Sequence, residues 1–184
     1  DMIFAIDKET GNLLWTHQGY KIANVTISIG DGKIFFAESD VTEEIKHQAM
    51  KDKNDLAQKG IYSGLKETEV SLENFDIRTI YALDATTGEK LWKKNIDVTG
   101  CGGDAMGTAY HNGVLLLFAN VGNHDAWRHK EGTLKWKRLT ALSGENGDML
   151  WSHANNYRTR PVIIGEKIII EPRACDLRTG DIIT

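Results

Sequence analysis

The amino-acid sequence predicts an all-β protein: a segment of about two to three four-stranded β-propeller blades with one helical insertion. Three observations carry this. A short signature recurs four times, strand–turn–strand pairs precede the later copies, and the chain turns with glycine, having 18 Gly but only 2 Pro in 184 residues. With 41% hydrophobic and 26% charged residues, the composition is that of an ordinary globular domain, and the length is ample for a core. Lys plus Arg number 22 against 26 Asp plus Glu, a net charge of −4, which argues against the basic domain of a general nucleic-acid binder. No apolar run approaches the roughly 20 residues of a membrane-spanning helix.

The repeat organises everything else. Its first copy is Ala5-Ile6-Asp7-Lys8-Glu9-Thr10-Gly11, ending at Trp15. The second is Ala82-Leu83-Asp84-Ala85-Thr86-Thr87-Gly88, ending at Trp92. In the third, Ser143 and Asn146 replace Asp and Thr before Gly147 and Trp151. In the fourth, Asp176, Thr179 and Gly180 are present, but Thr184 stands where Trp belongs. Each copy reads as a strand, a hairpin turn capped by the Asp side chain with Gly supplying positive φ, and a returning strand. A large aromatic at one fixed place per repeat can pack between neighbouring sheets and tie them together.

The Gly-to-Gly spacings of 77, 59 and 33 look irregular until two segments without strand alternation are set aside. Removing residues 41–76 brings the first to 41, and removing 121–135 brings the second to 44. Both then match the roughly 40–45 residues of a four-stranded propeller blade. Earlier strands are visible in each unit: 24–29 and 33–37 around a Gly-Asp-Gly turn, 107–110 and 114–119 around His-Asn-Gly, and 160–164 and 167–170 around Gly165-Glu166. The last unit is shortened by a tight turn at Glu171-Pro172-Arg173. The predicted organisation is a blade part at 1–20, a blade at 21–97 with insertion 41–76, a blade at 98–155 with insertion 121–135, and a blade part at 156–184.

The pattern Ala-x-Asp-x-x-Thr-Gly-x-x-x-Trp resembles the PQQ-like repeat, the blade unit of quinoprotein alcohol dehydrogenase-like β-propellers. The resemblance spans nearly the whole chain outside the two insertions, and it implies an extracytoplasmic, periplasmic setting. That family contains quinone-cofactor dehydrogenases, and also non-enzymatic propellers such as the lipoprotein that helps assemble outer-membrane proteins, to which this chain is closer. Its enzymes carry adjacent cysteines over the quinone, a catalytic Asp, and Ca²⁺ held by acidic and amide side chains. Here the only cysteines are Cys101 and Cys175, and no Asp, Glu and Asn set maps onto the chain residue by residue. The resemblance therefore implies a non-catalytic scaffold for protein or ligand binding, with no cofactor in this segment. The alternative is a fragment of a PQQ- and Ca²⁺-dependent dehydrogenase. Nucleophile-elbow, Walker and HExxH motifs are all missing from the sequence.

Such propellers commonly have seven or eight blades. The chain opens mid-strand and closes at the start of another strand, so it reads as a fragment or processing product. The expected partners are the remaining blades or another protein chain, covering the open edges and unpacked faces.

Several residues are candidates for binding, each with a structural reading beside it. Insertion 41–76 has eight acidic and five basic residues, a net charge of −3. It opens on Asp40-Val41-Thr42-Glu43, a capping box of the Asp-x-x-Glu kind. Val41, Ile45, Ala49 and Leu56 then form a narrow apolar stripe at helical spacing, and Gly60 closes the helix. This helix is either a docking element on the rim or an insertion packed on its own blade. In the second insertion, His124, Asp125, His129 and Glu131 suggest a metal site, and Trp127 suggests a stacking platform for a ligand, including a carbohydrate. The alternative there is a polar loop with its Trp tucked against the blade. Gly102 and Gly103 would permit close backbone approach to a ligand beside Asp104. Arg158 and Arg160, two apart and so on one strand face, suit an anion or an ion pair with Asp104. Cys101 and Cys175 fit a disulfide or two buried thiols, and the habit of free cysteine to be buried favours thiols.

Overall fold

Each returning strand of the repeat makes the same irregularity, and it aims the tryptophan. The computed structural model describes residues 1–39, 41–63, 75–120, 137–155, 157 and 159–183, with the side chain of Asp104 outside that description. Along the chain the elements are β1 (Met2–Ile6), β2 (Leu13–Gln18), β3 (Ile22–Gly30), β4 (Lys33–Glu38), α1 (Glu43–Gln58), β5 (Tyr62–Ser63), β6 (Ile77–Asp84) and β7 (Lys90–Asp97). They continue with β8 (Met106–His111), β9 (Val114–Ala119), β10 (Arg138–Ser143), β11 (Met149–Ala154), β12 (Val162–Ile164), β13 (Lys167–Ile170) and β14 (Arg173–Asp176). Four sheets result: β1-β2, β3-β4-β6-β7, β5-β11-β10-β9-β8 and β12-β13-β14.

The repeat folds as its residues dictate. In the second copy the Asp84 carboxylate accepts from the amides of Thr86 and Thr87, both at 2.8 Å, while the Gly88 amide bonds the Asp84 carbonyl at 2.9 Å. The Asp7 and Asp176 turns repeat this, and Gly11, Gly88, Gly147 and Gly180 all sit at φ between 72 and 75°. After each turn the pairing shifts. Ala5 faces Trp15 but Ile6 faces Leu13, Ala82 faces Trp92 but Leu83 faces Lys90, and Ala141 faces Trp151 but Leu142 faces Met149. The bulged residue is thus always the leucine before the tryptophan, Leu14, Leu91 or Leu150. A bulge bends and twists its strand. A small alanine opposite leaves space for the indole.

That indole reaches the next sheet. Trp15 Nε1 donates to the Ala85 carbonyl at 3.1 Å, Trp92 to Gly144 at 3.2 Å, and Trp151 to Leu177 at 3.0 Å. Each acceptor is the residue just after the Asp or Ser of the following turn. The ring then lies on that turn's glycine: a Cβ at Gly88, Gly147 or Gly180 would come within 2.6, 2.7 or 2.6 Å of the indole. Glycine is required there for two reasons, positive φ and room for the ring.

Both faces of the central sheets are buried, so their strands read as continuous apolar runs. Every residue of β9 is fully buried, and alternation sorts them. Val114, Leu116 and Phe118 pack with Trp151, Ile168 and Ile170 on one side. Leu115 and Leu117 pack with Phe35, Ile80 and Trp92 on the other. Strand β4 divides likewise, Phe35 and Ala37 facing that second cluster and Ile34 and Phe36 joining Trp15 and Leu83 in a third. The inner hairpins turn on Asp31-Gly32 and Asn112-Gly113, with φ of 48, 70, 46 and 79°. Positive φ at both central residues is the two-residue type I′ turn that matches strand twist. Across these turns Tyr110 donates to Asp31 at 2.7 Å and stacks on Phe35 at 4.8 Å, a second tie between sheets.

The helical insertion is present, with a different start. Thr42, not Asp40, is the N-cap, its side chain accepting from the Ile45 amide. Asp40 itself lies outside the described residues, and with Ile45 at the third helical position the capping box does not form. Gly60 does end the helix, in a Schellman motif: the Ile61 amide reaches Leu56 O and the Gly60 amide reaches Ala57 O, both at 3.0 Å. The inward face also contains a charge, buried Lys53 beside Ala49, with Nζ 4.2 Å above the Phe75 ring. The insertion is not strand-free either. β5 adds to β11 in parallel, pairing Tyr62 with Ser152 and Ser63 with His153. A segment that leaves the second sheet thereby straps the third.

These contacts predict a difference between glycines. Gly88→Ala should cost about 2–4 kcal/mol, combining left-handed strain with overpacking against Trp15. Gly32→Ala, at φ 70° with nothing within 4 Å, carries the strain alone. Denaturant titration of both variants reads the difference. Equal losses would mean that the indole–glycine contact contributes nothing.

Candidate functional site

Antiparallel pairing gives the assembly two ends. The glycine turns and the tryptophan locks lie at one. The starts of β3, β6, β8 and β10, the ends of β4, β7, β9 and β11, and helix α1 lie at the other. The candidate site is this second end, where the two long connections leave the sheets.

Its floor is a network of buried polar groups. Arg78 binds Asp76 through Nε at 2.6 Å and a second nitrogen at 3.3 Å. The Asp76 amide donates to Thr99 Oγ1 at 2.9 Å, and the Thr99 amide to Asp97 Oδ1 at 2.9 Å. Tyr62 on β5 donates to Asp97 Oδ2 at 3.2 Å. Fully buried Arg138 donates to Ser152 Oγ at 3.0 Å and to the Ser63 carbonyl at 2.9 Å, with its guanidinium 3.9 Å over the Tyr62 ring. Buried Lys137 donates to the Tyr157 carbonyl at 2.9 Å, and the Tyr157 hydroxyl accepts from the Ala119 amide at 2.7 Å. A buried charge is tolerated when it is paired and hydrogen-bonded: Arg78 meets a carboxylate, Lys137 a carbonyl and a ring face, and Arg138 a hydroxyl, a carbonyl and a ring face.

Beside the floor, α1, β5, β7 and the start of β11 line a groove of about 440 Å³, which runs along β7 from α1 to the turn glycine Gly147 beneath Trp92. Its apolar lining includes Ala49, Leu56, Ile61, Ile96 and Met149, and its rim carries Asp52, Lys59 and Asp148. Lys94 crosses it to Asp148 at 2.8 Å, joining the second and third sheets. A smaller cleft of about 260 Å³ lies at the start of β3, lined by Lys21, Asn24, Ser39 and Arg78 among others.

Burial sets the protonation of the enclosed tyrosines and thiols. Burial, reinforced by Asp97, raises the Tyr62 pKa far above its usual value, and burial does the same to Tyr157. Cys101 and Cys175 are free thiols, both fully buried, pushed by burial to about 12 and about 11 respectively. Cys101 Sγ lies 3.6 Å from the Arg138 carbonyl and from Thr140 Oγ1, so it acts as a packed, hydrogen-bonded core group. Of the two readings of the cysteines, the buried thiols are the ones found.

The proposed ligand residues fare unevenly. His124, Trp127, His129 and Arg158 lie outside the described residues, as does the Asp104 side chain. The backbone of Asp104 belongs to a short 3-10 turn, Gly103–Ala105. Gly102 approaches protein rather than an open ligand space, since a Cβ there would come within 2.8 Å of Ala119 Cα. Arg160 is exposed and precedes β12 instead of lying on a strand, so the two-residue spacing does not place it on a strand face with Arg158. Its guanidinium lies 5.7 Å from the Phe118 ring centroid, a packing contact. Among the described residues no three His, Cys, Asp or Glu converge on a cation site. Sequence reading missed Tyr62, Arg78, Asp97, Lys137, Arg138 and Tyr157. The available signal was charge beside strands otherwise destined for burial, as in Asp76-Ile77-Arg78 and Lys137-Arg138-Leu139.

The described sheets define a segment of a β-propeller fold. The chain is similar over its full length to the crystal structure of BamB from Moraxella catarrhalis, at a TM-score of 0.55 and 12% identity. It covers 41% of that chain, so it spans less than half the length of that relative. It is also similar to a quinohemoprotein alcohol dehydrogenase from Pseudomonas putida, with TM-score 0.46, 14% identity, and coverage of 100% of this chain and 31% of that one. A third similar structure is the rhamnogalacturonan lyase YesW, with TM-score 0.48, 13% identity, and coverage of 100% and 35%. The fold assignment rests on the first of these. No protein-family model matches the sequence, and no curated protein matches it. Among the described residues no helix is long and apolar enough to cross a membrane.

The thiols predict alkaline sensitivity. A thiol whose pKa rises from 9.0 to about 12 on folding stabilises the native state fully below pH 9, and that contribution is lost as pH rises toward 12. Stability from denaturant midpoints should therefore decline from about pH 9 upward, and less steeply in Cys101→Ala than in the parent. An identical decline in the two would contradict this.

Proposed function

We propose that this chain is part of a non-catalytic propeller scaffold that binds a protein partner in the groove between α1 and β7, within a larger extracytoplasmic protein. The observation that carries the reading is the placement of α1. The helix is closed by its Schellman motif, packed through Ala49 and Lys53, and strapped across two sheets by β5. It forms one wall of an open groove with apolar lining and charged rim. Interfaces characteristically combine an apolar centre with a polar rim, and connections on a rigid sheet scaffold are where binding residues concentrate. The buried cations beneath already engage protein acceptors, which favours a structural role for them. The periplasmic setting and the partner follow from resemblance to the non-enzymatic propellers of the PQQ-like class.

The test uses the intact protein and a Leu56→Arg variant, which places a charge in the groove. Proteins retained by each are identified by mass spectrometry, with circular dichroism confirming that the variant is folded. The scaffold reading expects a discrete extracytoplasmic partner whose recovery falls about tenfold or more in the variant. It also expects no dye reduction when the protein is supplied with PQQ, Ca²⁺, an alcohol and an artificial electron acceptor. Dye reduction that requires both PQQ and Ca²⁺, or retention indifferent to Leu56→Arg, would overturn it.

A further inference from the structure

Strand β7 has one strand neighbour, β6, among the described residues, which leaves its other edge unpaired. Backbone bonding fixes which groups face that edge. The Val98 amide donates to the Asp76 carbonyl at 2.8 Å, and the β6–β7 register runs on from that pair without a shift as far as Ala82 and Trp92. In an antiparallel ladder, bonded pairs alternate with unbonded ones. Ile96, Lys94 and Trp92 therefore bond β6, and the amides and carbonyls of Lys93 and Asn95 point outward. Both residues are exposed, and among the described residues nothing accepts from their outward amides.

The third sheet shows what such an edge takes. There the amide of Ser152, the residue after Trp151, donates to the Ile61 carbonyl at 2.8 Å, and β5 continues the contact in parallel along β11. Lys93 is the residue after Trp92 and holds the same place in the second sheet. One edge is filled by an added strand, and its counterpart stands open beside the groove.

The two faces of the open edge differ in chemistry. Residues directly opposite one another in an antiparallel pair share a face. Lys90 is opposite Leu83 and Lys93 opposite Tyr81, so both project on the face that packs with Trp15 and Phe36. They are exposed and make no ion pair with the described residues. On the other face Ile96 and Lys94 border the groove, together with Leu56 and Met149. A strand laid along this edge meets cations on one side and an apolar lining on the other.

We propose that β7 is a strand-addition site for an extended segment of a partner protein in which acidic and apolar residues alternate. The inference rests on the groove reading and names the occupant. The segment's main chain bonds the outward groups of Lys93 and Asn95. Its carboxylates lie beside Lys90 and Lys93, and its apolar side chains enter the groove with Leu56, Ile96 and Met149. Asp52 and Asp55 on α1 border the groove, on the other side of the segment from those lysines. A helical partner could not use the outward amides, because its own backbone groups are bonded within it. A second copy of this chain, pairing edge to edge through β7, would set lysines against lysines, which is unfavourable across a strand pair. The same charges guard the edge against indiscriminate pairing.

The test uses the intact protein and synthetic heptapeptides, matched to the eight residues of β7. One alternates glutamate and valine, and the other has lysine in place of each glutamate. The glutamate peptide should bind saturably in fluorescence anisotropy and slow hydrogen exchange at the Lys93 and Asn95 amides. Two N-methylated forms of it, differing in which alternate amides are blocked, should differ about tenfold or more in affinity, since only one set faces β7. In a Lys90→Glu, Lys93→Glu double variant, confirmed folded by circular dichroism, the preference should invert in favour of the lysine peptide. No saturable binding of the glutamate peptide, equal affinity of the two methylated forms, protection confined to α1, or a preference unchanged by the charge reversal would each overturn strand addition. None of these outcomes decides the groove reading, which the Leu56→Arg retention experiment tests separately.

Discussion

Neighbouring sheets in this protein are held in position by an indole that donates one hydrogen bond and covers one glycine. Hydrophobic burial supplies most of the attraction between sheets, but it is non-directional, and two apolar faces alone leave their relative height and angle poorly determined. The bond from Trp15, Trp92 or Trp151 to a main-chain carbonyl removes that freedom. Each bond contributes only about 1 kcal/mol net. Its effect on geometry is larger, because the acceptor sits in a turn made rigid by the Asp or Ser, by Gly, and by its own internal hydrogen bonds. The alanine opposite each tryptophan, the leucine bulge before it and the glycine beneath it are all conditions for the same contact.

The lock also divides labour between the two ends. One end of the sheets is occupied by short, self-satisfied turns whose geometry is dictated by packing. The other end has no such requirement, and there the connections lengthen into α1 and β5. The buried network of Asp76, Arg78, Asp97, Thr99, Tyr62 and Arg138 joins those connections to the sheets. Removing one partner of such a network leaves a buried polar group unsatisfied, which costs more than the bond itself is worth. Strand β5 is therefore tied to the sheets by buried polar contacts, and α1 is held beside it.

Much of this was legible in the residues because the determinants are local. Asp, Thr and Gly at fixed offsets specify a turn from within five residues, and Trp at a fixed distance after Gly reports the contact it makes. The helix was legible from its stripe and from Gly60. Its N-cap was not, because Asp40 and Thr42 are both competent caps and tertiary placement chose Thr42. β5 was hidden because two residues have no periodicity, and its pairing with β11 is a long-range event. The polar floor was hidden for a related reason. Arg138 and Tyr62 are 76 positions apart in sequence, and only the strap of β5 over the third sheet brings them together. Arg160 was misplaced by extending β12 two residues too far toward the N-terminus.

The central claim is that the tryptophan couples one sheet to the turn of the next. Amide hydrogen exchange in a Trp92→Leu variant tests it most directly, because leucine retains apolar bulk and loses the Nε1 donor. The account predicts faster exchange at two places together, in β6–β7 and in the turn at 143–148, where Gly147 and Ser143 make their closing bonds. Faster exchange confined to β7, with the 143–148 turn as protected as before, would show that the sheets are coupled by burial alone and would contradict it.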